Sequence, residues 1–445
     1  MRTGELRVTR AQGGPGGGYR LFPERLPTLA EALAAVTAAV PGPRGPVEHV
    51  WLDQALGRVL AQPVAAGEDL PAFDRSTVDG YAVRAADTAG AAPDRPVALA
   101  WAGRVAMGSV PQNPLQPGQA VAVGTGAMLP PGADAVVMAE DAQRAGAAGG
   151  SSGGAPGGTV LIRRAVAPGD NVLPRGADLK AGQQVLPAGT LLGPAQIGAL
   201  AAAGIVEVPV HPRPLAAVLS TGDELVPPHR VPGPGAVRDA NAYALAAAVR
   251  RDGGRVLRLD RVGDDLGRLR AALEAAVAGG AALVLVSGGS SVGTHDLTLD
   301  AVTAMGARVL VHGIAVKPGK PTLAARLDDA LIFGLPGNPV SALVIHDVLV
   351  RPVLRALMGA AEPARLPVQR AVLAETVRRP AAREELVRVR LSRRGPDSVP
   401  EAQRVPGTSG MLQSLARADG YLWIGFDREG YEAGEMVEIW CIPGN

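Results

Sequence analysis

The chain has 445 residues, with 44 basic and 42 acidic side chains, a formal charge of +2 and 3% aromatic content. So few aromatics argue against a base-stacking nucleic-acid platform, which interleaves them with cations. No apolar run reaches the roughly 18–20 residues that span a bilayer, and the amino terminus lacks the ~7–15-residue apolar stretch of a secretory signal, so the sequence reads as cytoplasmic, with neither membrane nor nucleic acid as partner.

A single cysteine, Cys441, and six scattered histidines exclude an intrachain disulfide and a multi-Cys or paired-His metal site. Any metal chemistry must therefore rest on carboxylates. Residues 1–22 read as a flexible glycine-rich tail. "TLAEALAAVTAAV" then predicts a helix, with Thr28 as cap and Glu31 completing a capping box. From Pro71 to about Leu179, short strand-like runs separated by Gly and Pro predict a compact β-rich module. Its low-complexity stretch, Arg144 to Gly158, is expected at a hairpin tip. "GPAQIGALAAAG" predicts a second helix stopped by Gly204.

From Leu215 to Met358 strands and helices alternate, which predicts a parallel sheet covered by helices on both faces, with "TLAARL" and "ALIFGL" reading as a hairpin and "VSALVIHDVLVRPVLRALMG" as one long helix. The remaining segment predicts a small β-domain. Within it the basic run from Glu385 to Arg394 alternates apolar residues with arginines, as a half-buried strand with a solvated face does.

Ligands of open α/β sheets bind outside the carboxyl ends of the strands. The loops expected there carry Asp223 and Glu224; Asp264 and Asp265; the glycine-serine turn "SGGSSVG" ending near Asp296; Lys317 and Lys320; and "PGNPVS". Singly, each acid has a structural reading: Asp264 and Asp265 favour a helix amino end, Asp223 holds a turn and Asp296 caps a helix. Their joint placement on one edge points to a ligand. Glycine turns let backbone N–H groups approach an anion, and Pro339 suits the first turn of a helix.

The chain contains only three lysines, Lys180, Lys317 and Lys320. Two of them fall in "VKPGKP". An ammonium is a compact charge suited to phosphate or oxyanion, whereas guanidinium imposes a planar fork. Carboxylates facing phosphate call for a divalent cation such as Mg²⁺. The residues alone thus lead to a phosphorylated ligand and metal-assisted phosphoanhydride chemistry, without naming the ligand.

The motifs "STGDEL" (220–225), "SGGSSVG" (287–293), "KPGKP" (317–321) and "GLPGNPVS" (334–341) together resemble the molybdopterin molybdenumtransferases of the MoeA type, and the gephyrin E domain. "PAFDRSTVDGYAVRAADT" (71–88), "GTGAMLPPGADAVVMAED" (124–141) and "PGDNVLPRGADLKAG" (168–182) extend the resemblance over nearly the whole chain. The family's loop usually reads Gly-Gly-Val-Ser where Gly288, Gly289, Ser290 and Ser291 stand, and Ala177 replaces a common glutamate.

The resemblance implies a multidomain α/β-plus-β architecture. A three-layer α/β molybdopterin-binding domain (211–361) is expected with a discontinuous helical linker (23–66 and 180–210), an inserted β-rich domain (67–179) and a C-terminal β-barrel-like domain (362–445). It implies a homodimer whose site is shared between subunits. It also implies insertion of molybdate into adenylylated molybdopterin with Mg²⁺-assisted release of AMP.

Carried over by position, catalytic candidates are Asp79, Thr125, Asp178, Glu224, Asp264, Asp296, Lys317 and Lys320. Glu224, Asp264 and Asp296 are the metal candidates. The cofactor-binding set is Thr221, Gly222, Ser287, Gly288, Gly289, Ser291, Gly293, Pro318, Gly319, Pro336, Gly337, Asn338, Pro339 and Ser341. A molybdopterin adenylyltransferase is an implied partner. The rival readings are that same adenylyltransferase activity, which shares the α/β domain, and a non-catalytic molybdopterin-binding scaffold.

Overall fold

The structure, a computed structural model, describes residues 25–145, 158–289, 296–362, 364–380, 382–393, 395 and 398–444. Helix α1 (Leu29–Thr37) opens on the expected capping box: Thr28 accepts from the Glu31 N–H, and Glu31 returns the bond to the Thr28 N–H. Read from sequence as part of a helical linker, α1 buries Leu29, Ala32 and Val36 in the core of the α/β region. The chain then forms strand β1 (Glu48–Trp51) and a 3₁₀ turn where further helix was expected.

The inserted region builds strands β2 (Gly80–Val83), β3 (Val97–Arg104), β4 (Gln119–Val123), β5 (Ala135–Met138), β6 (Ala142–Ala145) and β7 (Thr159–Ile162). They make one sheet of order β5-β2-β4-β3-β7-β6. Strands β6 and β7 pair antiparallel; of the hairpin tip expected at Arg144 to Gly158, Arg144 and Ala145 belong to β6, and 146–157 lie outside the described residues. Helix α2 (Pro194–Ala202) and strand β8 (Glu207–Val210) follow, and β8 pairs with β1 around Leu60, Leu192 and Leu200.

The α/β region runs β9 (Leu215–Thr221), α3 (Asn241–Arg251), β10 (Arg255–Val262), α4 (Leu266–Ala278), β11 (Leu283–Ser287), α5 (Leu297–Ala304), β12 (Arg308–His312), β13 (Val316–Lys317), β14 (Leu323–Leu327), β15 (Ala330–Leu335) and α6 (Pro339–Ile345). A π-turn at His346–Val350 leads into α7 (Arg351–Leu357), so the long helix expected here has a widened middle. Excluding β13, the strands form one sheet of order β10-β9-β11-β15-β14-β12.

Its first four strands are parallel. The hairpin read in "TLAARL" and "ALIFGL" breaks the parallel run: β14 is antiparallel to β15, and also to β12. Only Asp328 and Asp329 separate β14 from β15, and so short a loop joins antiparallel strands alone. Because β14 is reversed, β12 again points with the parallel set.

Alternate residues of β9 explain why both faces are covered. Ala216 and Val218 pack with α3, α6 and α7, while Ala217 and Leu219 pack with α4 and α5. A sheet buried on both faces reads as the near-continuous apolar run seen here.

The C-terminal strands β16 (Val368–Leu373), β17 (Glu384–Ser392), β18 (Glu401–Arg404), β19 (Gly420–Ile424) and β20 (Met436–Cys441) pair in the ring β17-β18-β16-β20-β19 and back to β17, a closed five-stranded barrel. Closure removes the exposed edges that a small open sheet would present. The short β13 leaves the α/β region and pairs in parallel with the start of β17.

Candidate functional site

The strand order places a topological switch between β9 and β11: from β9 the chain steps outward to β10, then returns to the other flank. A crevice opens outside the carboxyl ends at such a point. Thr221 ends β9 and Ser287 ends β11; Ser220, next to Thr221, and Ser287 bring their hydroxyls within 3.4 Å. Gly288 and Gly289 follow at φ +91° and +67°, a region that favours glycine. A Cβ at Gly288 would meet the Thr221 carbonyl oxygen at 2.3 Å, so the two turns touch through backbone alone.

Flanking this contact, the hydroxyls of Thr221 and Thr298 are buried with no hydrogen-bond partner among the described residues, 3.0 and 3.1 Å from where a Gly289 Cβ would stand. Buried hydroxyls are normally bonded, so this turn has donors and acceptors to offer a ligand. Ser291 and Gly293 lie outside the described residues.

The loop after β15 closes the other side. A Cβ on Gly337 would lie 3.5 Å from the Gly288 Cα, and Asn241, first residue of α3, donates Nδ2 to the Gly337 carbonyl at 2.8 Å. Pro336 and Asn338 frame this turn, Pro339 is at the first turn of α6 and Ser341 is buried behind it. The Val340 N–H donates to the carbonyl of Ser409, from the barrel, at 3.1 Å.

On the opposite flank, the turns after β9 and β10 are bonded to each other through Asp223 and Asp264. Asp223, Glu224 and Asp264 are exposed at the rim. Gly222 has φ +147° and a Cβ there would meet Glu224 Oε2 at 2.5 Å. Asp265 accepts from the Arg268 N–H at 2.7 Å and caps α4.

Asp296 is buried. It caps α5 by accepting from the Leu299 N–H at 3.1 Å, and its second oxygen lies 3.6 Å from His312 Nε2. The structural reading of Asp296 thus holds, with an ion-pair geometry added.

The lysine loop is gripped from two sides. The Ala315 N–H donates to the Pro27 carbonyl at 2.8 Å, and the Ala315 carbonyl accepts from the Glu384 N–H at 2.8 Å. Lys317 ion-pairs with Glu385 of the barrel at 2.9 Å. Pro318 and Gly319 turn the chain; Gly319 has φ +121° and packs so closely that a Cβ would meet Ile345 Cδ1 at 2.4 Å. Lys320 lines a cavity of about 780 Å³ with Arg25, Thr28, Arg383 and Phe426.

In the inserted sheet, Asp79 Oδ1 accepts from the Thr125 N–H at 2.7 Å and its hydroxyl at 3.0 Å. The backbone N–H first, then the hydroxyl, holds the Asp79 carboxyl below the usual aspartate value. Asp178 is exposed on a turn held by two acids that the sequence reading missed. Asp74 accepts from the Arg175 N–H at 2.7 Å, and Asp69 from the Ala181 N–H at 2.9 Å and Arg175 Nε at 2.7 Å. The hydrogen bonds of Asp79, Thr125 and Asp178 stay within the inserted region.

The sequence reading also missed Asn241, Thr298 and Glu385. Asn241 was legible as the polar opening of a helix. Glu385 opens a run whose alternation with apolar residues reads as a half-buried strand with its polar side in solvent.

Fold and rim define a doubly covered α/β ligand-binding protein with an appended β-sheet unit and barrel. Residues 27–204 match the MoeA N-terminal region (domains I and II), 217–356 a probable molybdopterin binding domain, and 370–442 the MoeA C-terminal region (domain IV). The chain is 38% identical over 398 residues to molybdopterin molybdenumtransferase 2 of Mycobacterium tuberculosis, covering 88% of this chain and 94% of that protein. It is 32% identical to the molybdopterin molybdenumtransferase of Bacillus subtilis, covering 90% of each.

Among solved structures, a molybdopterin biosynthesis MoeA protein from Pyrococcus horikoshii superposes with TM-score 0.76 at 30% identity, over 94% of this chain and all of that one. The chain belongs to the MoeA family of molybdopterin molybdenumtransferases.

Proposed function

We propose that the chain inserts molybdate into adenylylated molybdopterin and releases AMP. The observation that carries this reading is the shared edge. The loops after β9, β10, β11, β12 and β15 all leave the same side of the sheet, and the glycine turns of three of them meet at Thr221, Gly288 and Gly337.

On this reading the Gly288–Gly289 turn, the Thr221 hydroxyl and the Pro336–Pro339 turn receive the pterin phosphate, since backbone N–H groups without side chains admit an anion closely. Lys317 and Lys320 neutralise charge that develops on phosphate as AMP leaves, and hold molybdate as the incoming dianion. Asp79, Thr125 and Asp178 face the α/β rim of a second copy in a homodimer, consistent with their hydrogen bonds among the described residues, which stay within the inserted region.

Among the described residues no group of three acids, histidines or cysteines converges on one point. That suits Mg²⁺, which is typically held by one or two carboxylates together with substrate phosphates rather than by a protein cage. The exposed Glu224 and Asp264 would hold it, with Asp296 as a further candidate; when bound, it supplies neutralisation between carboxylates and phosphate.

The test is to supply adenylylated molybdopterin and assay AMP with and without molybdate. Molybdate-dependent release supports this reading. ATP-dependent formation of the adenylate would transfer the chain to the adenylyltransferase class, and neither activity would leave a binding scaffold. Asp296→Asn and Glu224→Gln are each expected to abolish release without unfolding the protein; wild-type turnover in either removes its role.

A further inference from the structure

Lys317 has 46% of its side chain exposed, yet its ammonium lies 2.9 Å from a Glu385 carboxylate that is only 10% exposed. Glu385 belongs to the barrel, and backbone pairing of β13 with β17 sets the two residues side by side, Val316 against Glu384 and Lys317 against Glu385. The next residue back is also committed: Glu384 accepts the Leu29 N–H at 2.7 Å and so ties the same strand to α1. The barrel therefore cannot slide without moving the lysine loop.

Among the described residues, Lys317 is the one ion-pair partner of Glu385. A buried carboxylate deprived of its cation is costly, so Lys317 does not leave Glu385 to meet an anion. It has no need to. An ammonium carries three donors; one is spent on Glu385, and the exposed side of Lys317 leaves the others for an incoming anion.

Resting on the reading of the rim given above, we infer that Glu385 is a positioning residue. It fixes the direction in which Lys317 presents its remaining donors, and by cancelling one charge beside the loop it sets how tightly that loop holds an oxyanion.

The test uses the full chain. Inorganic phosphate is titrated by calorimetry, and AMP release is followed as a function of molybdate. Glu385→Gln keeps an acceptor for Lys317 but removes the opposing charge, so phosphate binding is expected to tighten about 2- to 5-fold. The gain should vanish in the Lys317→Gln background, because the effect acts through Lys317. Glu385→Ala removes the anchor and is expected to lower kcat ~10-fold or more, as small misplacements do, with KM changed far less.

Phosphate affinity that is unchanged or weaker in Glu385→Gln, or a gain that persists without Lys317, overturns the inference. If Glu385→Gln does not fold, Glu385→Asp shortens the reach while keeping the charge; it should bind phosphate like the wild type with kcat about 10-fold lower, and a wild-type kcat overturns the inference. The phosphate titration needs no turnover, so an absence of AMP release from the wild type would sink the functional reading and leave this one decided by binding.

Discussion

Asp223 and Asp264 each accept the other's backbone N–H: the Asp264 N–H donates to Asp223 Oδ1 at 3.2 Å, and the Asp223 N–H to Asp264 Oδ2 at 3.4 Å. The turns after β9 and β10 are thereby locked as one unit that displays three exposed acids. Asp264→Asn keeps an oxygen for the Asp223 N–H but loses the charge. It is expected to raise the Mg²⁺ concentration for half-maximal AMP release by about 10- to 100-fold, while stability changes by less than ~0.5 kcal/mol because the site is exposed. A magnesium titration beside a denaturant melt checks both halves.

Gly288→Ala combines two costs. At φ +91° an alanine is strained by about 1–2 kcal/mol, and its Cβ would also stand 2.3 Å from the Thr221 carbonyl oxygen. Gly280→Ala is the control: its φ is +87°, but its Cβ would meet nothing closer than Leu215 Cδ1 at 3.7 Å. Denaturant unfolding should therefore show the larger loss for Gly288→Ala. Phosphate binding should fall in that variant alone, since only there is the crevice displaced.

The rim was legible because alternating strands and helices dictate which loops share an edge, and a 3.6- or 2-residue period needs only neighbouring residues to be read. Asp296 and Asp265 as caps, and Thr28 with Glu31, are local for the same reason. What was not legible depends on partners far away in the chain. Glu385 looked like one polar residue on a solvated strand until β13 was found beside it, and the Leu29–Glu384 bond spans 355 residues. The reversal of β14 was legible too, since Asp328 and Asp329 leave room only for a hairpin. The packing of α1 on the α/β core was not, because an amphipathic stripe does not name the surface it covers.

Asp79 gives a pH prediction with a definite sign. Its folded pKa lies below the ordinary 3.8, held there first by the Thr125 N–H and then by the hydroxyl. A depressed carboxylate contributes stability above its unfolded pKa and loses that contribution as pH falls through the folded value; the window therefore begins near pH 4 and extends downward. Thr125→Val removes only the hydroxyl. NMR titration of the Asp79 carboxyl should show its midpoint rising but remaining below 3.8, because the backbone donor survives. A midpoint at or above 3.8 would mean that the hydroxyl was the main support.

Tyr421, fully buried in the barrel, donates its hydroxyl to Asp347 Oδ2 at 2.9 Å, while Arg251 holds Asp347 Oδ1 at 2.7 Å. Burial pushes the Asp347 carboxyl up, but His346 and Arg251 outweigh it and leave it below the usual value. The same burial, then the Asp347 charge, pushes the Tyr421 hydroxyl well above its ordinary pKa of 10.0. Tyr421→Phe loses a hydrogen bond to a charged group and is expected to cost about 1.5–3 kcal/mol. Asp347→Ala also removes one of the two carboxylates of Arg251, which keeps Asp252 at 2.8 Å, and should cost more than Tyr421→Phe. Because the folded pKa of Tyr421 is raised, its contribution is fully present below the unfolded value near 10 and is lost as pH climbs beyond it. Wild type should therefore lose stability in that alkaline window more steeply than Tyr421→Phe, which has no phenol to titrate. Parallel melts at pH 8 and above 10 measure the difference, and equal slopes would show that this phenol does not set the alkaline limit.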